Sequence, residues 1–80
     1  MNVEVRLFAT LRTYLPPGSS RTGARVDVGA GARVADVLVK LGIPPAQAAI
    51  VLVDGRYEAD VERPVVEGCV VSVWPHVAGG

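Results

Sequence analysis

Residues 33–41 do most to limit how this chain can fold. Val34, Val37, Leu38 and Leu41 recur at i, i+3, i+4 and i+7, the spacing of a helix with one apolar stripe. Asp36 stands in the first turn and Lys40 in the last, each matching the sign of the helix dipole at its end. Gly42 occupies the place of a left-handed cap, and Pro44-Pro45 prevents continuation. The helix is weak in isolation, because Val fills positions 34, 37 and 39 and no Ser, Thr or Asp caps its start. Packing against something else must supply the difference.

The remaining apolar residues say what that something is. Val3, Val5 and Leu7 alternate with Glu4, Arg6 and Phe8, the period of a half-buried strand with the aliphatic trio inward. Phe8 then shares the Glu4/Arg6 face, an odd place for a large aromatic. Ala9 to Leu15 reads as a short first helix with Leu11 and Leu15 on one stripe, ended by Pro16-Pro17-Gly18. After the polar loop Ser19 to Gly23, Arg25-Val26-Asp27-Val28 alternates again and pairs with the first strand as a long-looped hairpin. Gly29-Ala30-Gly31 breaks that strand.

Ile50 to Val53 and Arg56-Tyr57-Glu58 flank Asp54-Gly55, a strong short-range hairpin signal. Arg63 to Gly68 reads as an irregular turn or a single helical turn. In a final strand from Cys69 to Trp74, Cys69, Val71 and Val73 share one face and Val70, Ser72 and Trp74 the other. Strands and one long helix in this order imply an α+β roll: a mixed sheet of about five strands with the principal helix packed across it. The first and last strands are expected side by side at its centre. Their outer faces would then merge into one patch of Glu4, Arg6, Phe8, Val70, Ser72 and Trp74.

Eighty residues make one domain, and such a chain buries roughly 60% of its unfolded surface, too little for an internal active-site cavity. A 50% hydrophobic content argues against disorder. Formal net charge is zero with no basic block, so nucleic acid is not an expected partner. The apolar runs are too short to span a membrane, and Met1 to Arg6 lacks the pattern of a signal peptide. A cytoplasmic location is expected. One Cys and one His make no protein metal site, and Cys69 reads as a buried, inert thiol. Gly29 to Arg33 lacks the Lys-Ser/Thr of a phosphate loop.

Functional chemistry is expected at the other end of the last strand. Pro75 stops that strand, and Gly79-Gly80 leaves the end without side chains, narrow enough for a channel that admits only backbone. Residues 1–75 are read as the folded body and 76–80 as a tail. Five extended residues from His76 reach at most about 17 Å. A terminal carboxylate is ionised at neutral pH and a poor electrophile, so it needs activation by another protein.

At the level of motifs, Val5-Arg6-Leu7-Phe8-Ala9-Thr10-Leu11-Arg12, Val53-Asp54-Gly55-Arg56 and Trp74-Pro75-His76-Val77-Ala78-Gly79-Gly80 resemble the opening strand, central hairpin and ending of the ubiquitin-like β-grasp sulfur carriers. The chain is most similar to the small subunit of molybdopterin synthase, and the likeness spans its whole length. His76 replaces that family's second proline, and Cys69 stands where an acid is common.

The resemblance implies a carrier rather than an enzyme. Gly80 would be adenylated by an ATP-dependent E1-like activating enzyme and converted to a thiocarboxylate. Gly79 would thread with it into the large synthase subunit, where sulfur passes to a cyclic pterin precursor. Phe8, Arg12, Trp74, Pro75 and Val77 would contact the partner. The chain itself would bind no cofactor. A carrier for thiamine thiazole or cysteine synthesis, a ubiquitin-like modifier, and an interaction module without tail chemistry remain open alternatives. The aromatic-Pro exit favours the molybdopterin route over the thiazole one.

Overall fold

The computed structural model describes residues 1–76. In chain order these form β1 (Asn2–Leu7), a 3₁₀ helix (Ala9–Tyr14), β2 (Gly23–Asp27), α1 (Val34–Leu41), a second 3₁₀ turn (Pro45–Gln47), β3 (Ile50–Val53), β4 (Arg56–Tyr57) and β5 (Val70–Trp74). The strands make one five-stranded mixed sheet in the order β2-β1-β5-β3-β4. β1 and β5 lie parallel at its centre, and β2, β3 and β4 pair antiparallel with their neighbours. The expected roll and its central strand pair are both present.

The inner face of the sheet is sealed. Val5, Leu7, Val71 and Val73 are fully buried there beneath Val34 and Val37 of α1. Leu11 of the first 3₁₀ helix is likewise without exposure. The expected short helix is thus a tighter element: Ala9 enters it at φ 53, and Leu11 N–H donates to Phe8 C=O in place of a full α-turn. Pro16 leaves no length for more. Cys69 is buried as expected but precedes β5 by one residue, its carbonyl accepting from Glu4 N–H.

The missing side-chain cap of α1 is made good by tertiary contacts. Val34 N–H donates to Arg63 C=O at 3.0 Å and Ala35 N–H to Val61 C=O at 2.8 Å, so the irregular 61–68 segment satisfies two orphan donors. The Asp36 carboxylate accepts from Arg33 N–H at 2.8 Å. At the far end Gly42 takes the left-handed conformation, φ 79, and Ile43 N–H donates back to Leu38 C=O. Asp54 and Gly55 both have positive φ, as a tight hairpin turn requires. The Asp54 carboxylate also accepts from Val70 N–H at 2.9 Å, tying the hairpin to β5.

Candidate functional site

Alternation and register together decide what the outer face displays. Val3, Val5 and Leu7 point inward, so Glu4, Arg6 and then Phe8 point outward. On β5 the inward residues are Val71 and Val73, which turns Val70, Ser72 and Trp74 the other way. The parallel register sets Glu4 beside Val70 and Arg6 beside Ser72. Phe8 follows β1 at the row of Trp74, its N–H bonded to Val73 C=O at 3.2 Å. The two rings stack with centroids 4.3 Å apart and planes 2° from parallel. All six residues expected on one patch are brought together.

The stack is partly open to solvent. Both rings are only half-buried, on the side of the sheet that carries no helix. An aromatic pair of this kind contributes about 0.5–1.5 kcal/mol beyond its area. Burying it under a partner would gain more, which is why exposed aromatic clusters mark docking surfaces.

Sequence reasoning misses the rest of the apolar half of this face. Ile50 pairs with Trp74 and Leu52 with Ser72, and Tyr57 pairs with Leu52. Ile50 and Tyr57 are 45% and 67% exposed. The signal lies in the alternation of Ile50 and Leu52 against Val51, but it can be used only once β3 is known to neighbour β5. On the other side of the stack, Arg6 and Glu4 form an ion pair at 2.6 Å. The outer face therefore runs from apolar at β3 and β4 to charged at β1 and β2.

Arg12 is exposed on the 3₁₀ helix just after Phe8, its Nε donating to Ala9 C=O at 3.3 Å. Pro75 is half-buried and His76 exposed. The last hydrogen bond holding β5 to the sheet runs from Ala49 N–H to Trp74 C=O at 3.0 Å. Among the described residues, the chain is anchored at the stacked Trp74, the last residue of β5. Val77, Gly79 and Gly80 lie outside the described residues.

Among the described residues no three His, Cys, Asp or Glu side chains gather as metal ligands, and no helix is long and apolar enough to cross a membrane. The geometry offers a docking face and a chain exit beside it, with no enclosed catalytic cleft among the described residues.

Known proteins share this fold. Residues 1–79 match the Mut7-C ubiquitin family. The crystal structure of SAMP1 from Haloferax volcanii is similar at 30% identity and a TM-score of 0.72, with 100% of both chains covered. A crystal structure of H. volcanii small archaeal modifier protein 1 gives 26% identity and a TM-score of 0.72, covering 95% of this chain and 98% of that one. The complex of subunits 1 and 2 of molybdopterin-converting factor from Helicobacter pylori 26695 gives 20% identity and a TM-score of 0.58 over 100% of both chains, a likeness of fold. No curated protein matches the chain. The chain belongs to the Mut7-C ubiquitin family, and its fold is the ubiquitin-like β-grasp of carriers and modifiers.

Proposed function

We propose that this Mut7-C ubiquitin family member is a sulfur carrier whose reactive group is the Gly80 carboxyl. The observation that carries the reading is the exit: the half-buried Phe8–Trp74 stack stands where β5 hands over to Pro75. A partner docked on the stack would receive whatever follows it. In this reading a Gly80 carboxylate oxygen attacks the α-phosphorus of ATP on an activating enzyme, and pyrophosphate leaves. A sulfide-level donor then attacks the acyl carbon and displaces AMP, leaving a thiocarboxylate.

The thiocarboxylate sulfur is a soft nucleophile. Its proposed acceptor is a cyclic pterin precursor in molybdopterin formation, held by a large partner subunit that Phe8, Arg12, Trp74, Pro75 and Val77 contact. The aromatic-Pro exit and the fold shared with a molybdopterin-converting factor chain support this acceptor. Docking makes delivery effectively unimolecular, which offsets the entropy cost of ordering a glycine-ended tail.

The likeness to SAMP1, a protein named as a modifier, favours a second reading. Here the same activated carboxyl forms an amide with a lysine amine of another protein. Intact mass spectrometry after incubation with an activating enzyme, ATP and a sulfur donor separates the two. A gain equal to sulfur replacing oxygen at Gly80 supports the carrier. Lysine conjugates without that gain support the modifier, and an unchanged mass rejects both.

A further inference from the structure

The two edges of the sheet are finished differently. At one edge β4 has only two residues, and Glu58 N–H, the next donor, turns back to Val51 C=O. Such brevity leaves little for another strand to pair with. At the other edge β2 runs for five residues, Gly23–Asp27, with no proline and an unbroken register against β1.

That register says which backbone groups of β2 are free. Leu7 N–H donates to Thr22 C=O and Val28 N–H to Met1 C=O, so the rungs at both ends of the β1–β2 pair are hydrogen-bonded ones. Alternation between them bonds Ala24 and Val26 to β1 and turns the N–H and C=O of Gly23, Arg25 and Asp27 outward. Ser20 occupies Gly23, its hydroxyl bonding both the N–H and the C=O at 3.0 Å. The N–H and C=O of Arg25 and Asp27 have no partner among the described residues.

The side chains on these two open rungs are opposite in sign. Arg25 and Asp27 both stand on the outer face, because Val26 between them is buried inward. Arg25 faces Glu4 across the β1–β2 pair, but the Glu4 carboxylate is bonded to Arg6 at 2.6 Å, and Arg25 makes no ion pair among the described residues. Asp27 is 78% exposed and gives only Oδ1 to the Met1 amine, at 3.3 Å. An edge of mixed charge suits neither a uniformly acidic nor a uniformly basic strand. It suits itself, reversed.

We infer that β2 pairs antiparallel with β2 of a second copy of this chain, about a two-fold axis between the two Val26 residues. In this register Arg25 lies opposite Asp27 of the partner copy, and Asp27 opposite Arg25 of the partner copy. Both are hydrogen-bonded rungs, so the N–H and C=O left free on Arg25 and Asp27 of each copy find partners. Each rung also sets opposite charges side by side, whereas an axis at Arg25 or at Asp27 would set like charges together. Beyond Val28 the chain turns, Ala32 N–H donating to Gly29 C=O at 3.1 Å, so the pairing ends where Ser20 closes the edge. The axis stands perpendicular to the sheet, which puts both outer faces on the same side of one continuous sheet. The two Phe8–Trp74 stacks then face the same way. The inference does not need the tail chemistry and holds whether Gly80 carries sulfur or forms an amide.

One short strand pair is a small interface, and its dissociation constant is on the order of 1 mM. The test is NMR of the full chain from about 0.05 to 2 mM, with a mixed sample of isotope-labelled and unlabelled copies. Amide shifts of residues 24–28 should move with concentration, and an intermolecular Hα–Hα contact should join Val26 to Val26, the close rung of this register. Arg25→Glu alone and Asp27→Arg alone should each weaken association at least about tenfold, and mixing the two variants should restore it to within about threefold of the parent. Unaltered circular dichroism would show that both variants fold. Shifts that stay constant to about 2 mM, a contact through the Phe8–Trp74 faces instead, or a mixture no better than either variant alone overturns the inference.

Discussion

The two faces of the central strands are built from neighbouring residues and do opposite things. On β1, Leu7 has no exposure while Phe8, the next residue, stands half-open against Trp74. On β3, Val51 is 4% exposed and Ile50 is 45% exposed. One face is buried in a single core cluster with Val34, Val37 and Leu38 of α1 and holds the fold together. The other keeps large apolar side chains in water, which a stable monomer does not need. In the proposed reading, function in so small a chain falls to the face that folding leaves unfinished.

That division can be broken by paired substitutions. Leu7→Ala should cost about 2–5 kcal/mol by urea unfolding, since it opens a cavity beneath α1. Phe8→Ala should cost only about 1–2 kcal/mol, the stack and part of its area. Equal losses would mean that the outer aromatics are core. On β3, Val51→Ala should cost about 2 kcal/mol and Ile50→Ala under about 1 kcal/mol in the same assay. A double-mutant cycle on Phe8 and Trp74 should return a coupling of about 0.5–1.5 kcal/mol. A coupling near zero would mean that the two rings do not hold each other in solution. The smallest effect belongs to the Arg6–Glu4 pair: Glu4→Gln should change stability by less than about 1 kcal/mol, because both side chains are well exposed.

Much of this architecture is legible in the order of the residues. Period-2 runs mark the strands, the i, i+3, i+4, i+7 stripe marks α1, and Gly42 and Asp54-Gly55 mark a cap and a turn that both use positive φ. The patch around Phe8 and Trp74 can be inferred because alternation assigns faces and the β1–β5 pairing then joins them. What stays hidden depends on non-local geometry. The start of α1 is capped by carbonyls of Val61 and Arg63, which no local pattern announces. Ile50, Leu52 and Tyr57 join the outer face only through β3's position beside β5. Ala9 to Tyr14 is 3₁₀ rather than α because the chain must enter it from β1 with Ala9 left-handed and leave it before Pro16. The alternation of Arg25 and Asp27 is visible along the chain, but its meaning requires knowing that β2 is an edge strand.

The central claim is that the outer face selects the partner and leaves the fold alone. ATP–pyrophosphate exchange by the cognate activating enzyme, measured with Trp74→Ala at low carrier concentration, tests it most directly. Exchange should fall roughly thirtyfold, the loss of one interface anchor, while stability in urea falls by only about 1–2 kcal/mol, as for Phe8→Ala, and the variant stays folded. Undiminished exchange by the folded variant would contradict the claim.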